Sequence, residues 1–202
     1  MDQPIENYGK LRLTDLKTAL ASNNFDVYLA ENKQAACETV LKEIIPNLNA
    51  RTLSWGGSMT FITSGLYDQL KANPDLEVLD TFDKNIPAEE KKERQRQALL
   101  VDLFITGTNA VTETGQLVNL DMIGNRVAAI TFGPKQVLIF VGRNKIVKNR
   151  EAAFVRVKDY AAPVNVMRLD KKSPCGKTGR CDQDDVAAGR FVAVRGGRLE
   201  GN

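Results

Sequence analysis

Residues 87–106 read PAEEKKERQRQALLVDLFIT. Proline opens the stretch, acids come first and bases follow, an order that suits the helix dipole. The spacing predicts a helix over 87–100. The apolar run Val101–Thr106 then predicts a buried strand. A helix feeding straight into a strand with no polar alternation points to a parallel sheet covered on both faces.

The same alternation extends upstream. Leu13, Leu16 and Leu20 stand at helical spacing within Asn7–Ser22, and FDVYLA (Phe25–Ala30) alternates like a strand. Gln34–Ile45 is read as a helix stopped by Pro46, and Thr52–Trp55 as a short strand. Met59–Leu70 is read as helix with a break at Gly65, and Leu76–Leu79 as strand. Beyond residue 106 the pattern turns to β. Gln116–Asn119, Val127–Phe132 and Gln136–Val141 are expected strands, separated by the turn-rich DMIGN and GPK. Glu151–Ala162 is a final expected helix, closed by Pro163. The expected fold class is α/β, a mixed, largely parallel sheet flanked by helices. The expected organisation is one domain over 1–167 and a basic, Gly-rich tail over 168–202.

Composition excludes several chemistries. The 202 residues are 43% hydrophobic and 26% charged, as in globular chains, and include no histidine. A Ser-His-Asp triad, a Cys-His pair and any His-ligated metal are therefore ruled out, leaving Asp, Glu, Lys, Tyr or Cys for acid–base work. Three cysteines are an odd count that argues against a disulfide-built fold. No apolar run approaches the roughly 20 residues of a membrane span. The N-terminus MDQPIENYGKL lacks the order of a signal peptide, so a cytoplasmic location is expected. Residues 1–141 carry 14 basic and 18 acidic side chains, whereas 142–202 carry 14 basic and 7 acidic. The basic C-terminal third can face an anionic ligand or an acidic partner, or be a solvated tail. It lacks the interleaved aromatics of a nucleic-acid platform, and no nucleic-acid partner is expected.

Four places can carry chemistry. SWGGS (Ser54–Ser58) is a strand, two glycines and a serine opening a helix. Gly56, Gly57 and Ser58 suit anion binding at a carboxyl edge, and Ser58 equally suits plain N-capping. TGTNAVTETG (Thr106–Gly115) contains Glu113, with no other charged residue between Asp102 and Asp121. After a parallel strand, Glu113 would lie at the same sheet edge and act as base or nucleophile. The alternative is a turn in which Asn109, Thr112 and Thr114 make local hydrogen bonds and Glu113 is solvated. NLDMIGNR (Asn119–Arg126) reads as a hairpin signal around Gly124, with Arg126 able to pair with Asp121 or grip an anion. GRNKIV (Gly142–Val147) puts Arg143, Asn144 and Lys145 at a strand end. The pair Cys175 and Cys181 has neither the spacing nor the ligand number of a zinc or iron–sulfur site. No metal site and no cofactor are expected in this chain.

SWGGSMTF, DLFITGTNAVTETGQLVNLDMIGNRVAAITFGPKQVLIFVGRNKIVK and YAAPVNVMRLDKKSPCGKTGRC together resemble the LUD-domain family. This is the lactate-utilisation protein C family, formerly a domain of unknown function. The resemblance covers roughly residues 7–181. It implies a fold similar to the sugar-phosphate isomerase, glucosamine-phosphate deaminase and CoA-transferase group, and a part in L-lactate oxidation to pyruvate beside cysteine-rich and iron–sulfur subunits that hold the clusters. A homodimer is compatible with that fold group. Matching positions are Gly56, Gly57, Ser58, Asn109, Thr112, Glu113, Asn119, Gly124, Asn125, Arg126, Asn144 and Lys145. Glu113 is the candidate catalytic acid, in a loop like the one bearing the nucleophilic glutamate of CoA-transferases; the others are candidate anion-binding positions. A free-standing enzyme of CoA-transferase or isomerase type and a non-catalytic assembly partner are the alternatives to the lactate role. The chain departs from close relatives at Asp184, where a third tail cysteine would be expected.

Overall fold

A computed structural model describes residues 2–181 and 189–196. The chain forms two compact units, one from residues 1–28, 108–123 and 142–202, the other from 29–107 and 124–141.

The second unit is built on a four-stranded parallel sheet in the order β2-β1-β3-β6, with β1 Thr52–Trp55, β2 Glu77–Leu79, β3 Leu103–Gly107 and β6 Gln136–Phe140. All five residues of β3 are buried, as its unbroken apolar run predicts. Against one face pack α2 (Lys33–Thr39), α3 (Ile45–Leu48), α4 (Met59–Ile62) and α5 (Leu66–Ala72), through Cys37, Val40, Ile44, Phe61, Leu66 and Leu70. Against the other lie Ala98, which follows α6 (Ala88–Gln97), and Ala129 of α7 (Asn125–Thr131), packed with Val101 and Phe104. The fold is thus α/β, with a parallel sheet flanked by helices.

The first unit carries a second, mixed sheet in the order β7-β4-β5-β8. Its strands are β4 Ala110–Thr112, β5 Leu117–Asp121, β7 Ile146–Val147 and β8 Arg190–Val194. The β4–β5 and β5–β8 pairs are antiparallel, and β4–β7 is parallel. The helix α8 (Arg150–Arg156) and the turn after it bury Ala153 and Val157 against Ala110 and Val118. α1 (Asp2–Ser22) also belongs to this unit, as do α9 (Ala162–Arg168) and α10 (Cys175–Thr178).

Three local expectations change. Val127–Phe132 is not a strand: Asn125–Thr131 is helical, started by Gly124 at φ 100°. A continuous apolar run cannot by itself separate buried strand from buried helix. Here the chain must cross over to lay β6 parallel to β3, and a helix makes that connection. NLDMIGNR is accordingly a strand-to-helix junction rather than a hairpin. Phe25–Ala30 forms no strand; Phe25 and Val27 are half-buried while Asp26 and Tyr28 are exposed, so the alternation reports facing without a ladder partner. Neither Pro46 nor Pro163 ends its helix. Each follows a five-residue π-type segment, Val40–Ile44 and Val157–Ala161, after one intervening residue. The wide turn loosens the ladder where proline cannot donate. Asp184 lies outside the described residues.

Among the described residues no helix is long and apolar enough to cross a membrane.

Candidate functional site

In the parallel-sheet unit, Gly56 follows β1 and its N–H donates to the Ile105 carbonyl at 3.0 Å, extending the β1–β3 ladder. A Cβ on Gly56 would lie 3.1 Å from Arg126 Cγ, from Phe104 and from Thr106 Oγ1. The glycine therefore lets the turn close onto Arg126. Ser58 caps α4, its Oγ accepting from the Phe61 N–H at 3.3 Å. A Cβ on Gly107 would come within 2.7 Å of that same Oγ. Arg126 is 8% exposed and its Nη1 donates to the Gly107 carbonyl at 3.0 Å. Gly56, Ser58 and Arg126 thus gather with Gly107 at the carboxyl ends of β1 and β3. Gly57 has open space where a side chain would be, and Asn125 is the first residue of α7.

Next to this turn lies an acid that the sequence does not single out. Asp80, after β2, is 7% exposed. Its Oδ1 accepts from Trp55 Nε1 at 3.1 Å and from the Phe82 N–H at 2.8 Å; its Oδ2 accepts from Tyr67 Oη and Lys71 Nζ, each at 2.9 Å. Burial pushes the Asp80 carboxyl up, but Lys71, the Phe82 N–H and Tyr67 outweigh it and hold the pKa below the ordinary value. Both oxygens are engaged, so Asp80 locks the aromatic group Trp55, Tyr67 and Phe82 in place.

In the mixed-sheet unit, Asn109 and Asn119 reach across the β4–β5 pair. Asn109 Oδ1 accepts from the Leu120 N–H at 2.9 Å, and Asn119 Oδ1 from the Asn109 N–H at 3.3 Å. Thr112 Oγ1 lies 2.9 Å from Thr114 Oγ1 and accepts from the Gln116 N–H at 3.0 Å. These bonds shape a tight turn carrying Glu113. Asn23 holds the same turn, donating to the carbonyls of Thr114 and Gly115. The Glu113 side chain is 50% exposed, and its Oε1 accepts from Arg12 Nη2 at 2.9 Å. Asn144 and Lys145 lie in a 3₁₀ turn over Arg143–Lys145, closed by the Lys145 N–H on the Gly142 carbonyl.

Arg156, at the end of α8, joins two of these segments. Its Nε donates to the Asn144 carbonyl at 3.2 Å and its Nη1 to the Asn109 carbonyl at 2.9 Å. The guanidinium also lies over the Tyr160 ring, 5.2 Å from its centre. Burial pulls the Arg156 pKa below the usual arginine value, with Tyr160 opposing. The available sequence signal was helical spacing, which puts Arg156 on one face with Ala153 and Tyr160.

The expected positions thus fall into two groups. Gly56, Gly57, Ser58, Asn125 and Arg126 belong to the parallel-sheet unit; Asn109, Thr112, Glu113, Asn119, Asn144 and Lys145 belong to the mixed-sheet unit. Cys175 and Cys181 are both buried. Among the described residues no group of three or more His, Cys, Asp or Glu side chains is placed to hold a metal ion.

The model of the LUD domain family matches residues 13–190, a span that includes both groups and Arg156. The chain belongs to the LUD-domain family. No curated protein matches the sequence. The LUD domain is associated with lactate-utilisation proteins, which gives this chain a lactate-utilisation context. Glu113, Asn109, Asn119 and Arg126 all lie well inside the LUD match, whereas Arg12, which holds Glu113, precedes it by one residue.

Proposed function

We propose that this LUD-domain chain is a subunit of a system that oxidises L-lactate to pyruvate, working with iron–sulfur and cysteine-rich partner subunits. The observation that carries the reading is the family match over residues 13–190. In the reaction lactate loses two protons, one from the hydroxyl and one from C2, and two electrons, and a carbonyl forms at C2. Iron–sulfur clusters held by the partner subunits would supply the acceptor for the two electrons, and the C2 proton would pass to solvent. This chain contributes binding and acid–base groups. Glu113 takes the hydroxyl proton, and Arg12 orients its carboxylate. The hydrogen-bonded asparagines Asn109 and Asn119 fix the backbone of the strands that flank the Glu113 turn. A cytoplasmic location and the absence of a nucleic-acid partner belong to the same reading.

The test is lactate-dependent reduction of an artificial electron acceptor by the complex purified from lactate-grown cells through a tag on this chain. The reading requires activity that disappears when this chain is omitted from the reconstituted mixture. Equal activity without the chain would remove it from the reaction.

A further inference from the structure

The helical run from α8 through α9 shows water an apolar stripe framed by cations. Tyr160, Val164 and Met167 stand at i, i+4 and i+7, which sets them along one side of α9 and the wide turn before it. They are 56%, 45% and 52% exposed. The core contacts of the run are made by the buried Ala153 and Val157 instead. A recess of about 400 Å³ opens on the same run, lined by Phe154, Val155, Lys158, Asp159 and Arg180.

Charge frames the stripe. Between residues 150 and 181 the acids are Glu151, Asp159 and Asp170, against eight lysines and arginines. Asp159 is already paired, with Arg180 at 3.3 Å. Among the described residues Lys158, Lys171 and Lys172 pair with no carboxylate. Asp170 takes the left-handed conformation, φ 48°, and the Lys171 N–H returns to the Val166 carbonyl at 3.1 Å. That turn keeps Lys171 and Lys172 at the carboxyl end of α9, where the apolar stripe ends. Cations there complement the helix dipole. The dipole accounts neither for Lys158, in mid-run, nor for three large apolar side chains left in water.

An apolar centre with a charged rim is the build of a protein docking face. A second copy fits it poorly, because a two-fold contact would set the positive excess against itself. A bilayer takes a broad apolar helix face, and this stripe is one residue wide.

We propose that the exposed side of residues 158–172 is the docking face for a protein partner that presents an acidic, apolar-centred surface. Tyr160, Val164 and Met167 form the centre of the contact. Lys158, Lys171 and Lys172 steer and orient the partner. The proposal rests on this face alone and not on the lactate reading.

The test uses the full chain in the source organism, with a benzophenone-bearing amino acid in place of the exposed Val164. Light should couple the chain to one protein, identified by mass spectrometry, at a segment rich in Asp and Glu. The yield should fall at least about tenfold when Lys171→Glu and Lys172→Glu are combined, and hold when Lys33→Glu and Lys92→Glu are combined. With the captured protein purified, binding to the wild-type chain should weaken as salt rises, a measurement that needs no variant. By calorimetry, Tyr160→Ala with Met167→Ala should weaken it by at least about tenfold, with an unchanged circular dichroism spectrum. Coupling to a second copy, coupling to lipid alone or no adduct would overturn the proposal. So would an adduct whose yield survives the Lys171 and Lys172 reversals, or binding indifferent to salt. A captured acidic protein without an iron–sulfur cluster would uphold the docking face and count separately against the partners in the lactate reading.

Discussion

Arg12 Nη2 donates to Glu113 Oε1 at 2.9 Å, so a residue of α1 fixes the carboxylate at the tip of the β4–β5 turn. The two side chains are 30% and 50% exposed, and an ion pair so open to water contributes at most about 1 kcal/mol to stability. Glu113→Gln should therefore shift the thermal midpoint by only a few degrees. Under the proposed function it should lower lactate-dependent acceptor reduction by about a hundredfold. Arg12→Gln should reduce the rate less, because Glu113 remains. Full activity of Glu113→Gln in the purified complex would remove Glu113 from the chemistry.

Asp80 sits in the opposite regime. It is buried, and Trp55, Tyr67, Lys71 and the Phe82 N–H all depend on it. Asp80→Ala would leave Trp55 Nε1, Tyr67 Oη and the Phe82 N–H without this acceptor, while Lys71 keeps Tyr67 Oη, at a cost of roughly 3 kcal/mol. Urea unfolding should show the midpoint falling while the slope stays constant. A loss below about 1 kcal/mol would mean that water or a rotamer change replaces the network.

Asp102 gives the stability a defined pH dependence. Its carboxylate accepts from Lys135 Nζ, from the Thr52 and Arg51 N–H groups and from Thr52 Oγ1. Lys135 first, then the backbone N–H groups of Thr52 and Arg51, hold its pKa well below the ordinary carboxylate range. A depressed folded-state pKa means that the contribution is present above the unfolded value, near about 3.9, and is lost as pH falls toward the folded value. Wild type should exceed Asp102→Asn in thermal midpoint at neutral pH. The two should converge on acidification below about pH 4. A gap that stays constant from pH 7 to pH 3 would contradict the assignment.

Gly107→Ala tests the contact at the end of β3. The added methyl would lie 2.7 Å from Ser58 Oγ, the atom that caps α4, and 3.3 Å from the Phe140 carbonyl oxygen. One of these must move, which costs about 1–3 kcal/mol. Gly107→Ala combined with Ser58→Gly should recover part of the loss. An unchanged midpoint in the single variant would show that the turn yields freely.

The parallel core was legible because β3, the helix before it and the glycine turn after β1 each follow local rules. The four-stranded order and the crossover through α7 were not, because Val127–Thr131 is apolar throughout and periodicity cannot type it. Strand β8 was also hidden. Arg190–Val194 pairs with β5 across nearly 70 residues, and nothing local in a basic stretch signals a partner that far away. At the candidate site, the lone charge of Glu113 and the asparagines around it stood out in the sequence. Arg12 and Arg156 did not, since each acts through a contact distant in the chain, on Glu113 in one case and on Asn109 in the other.

The lactate role is tested most directly by growth. A strain of the source organism lacking this gene and any other lactate dehydrogenase, but keeping the partner subunits, is plated on L-lactate as the carbon source. The account predicts no growth, rescue by the wild-type gene and poor rescue by Glu113→Gln. Growth equal to that of the parent carrying the gene would contradict it.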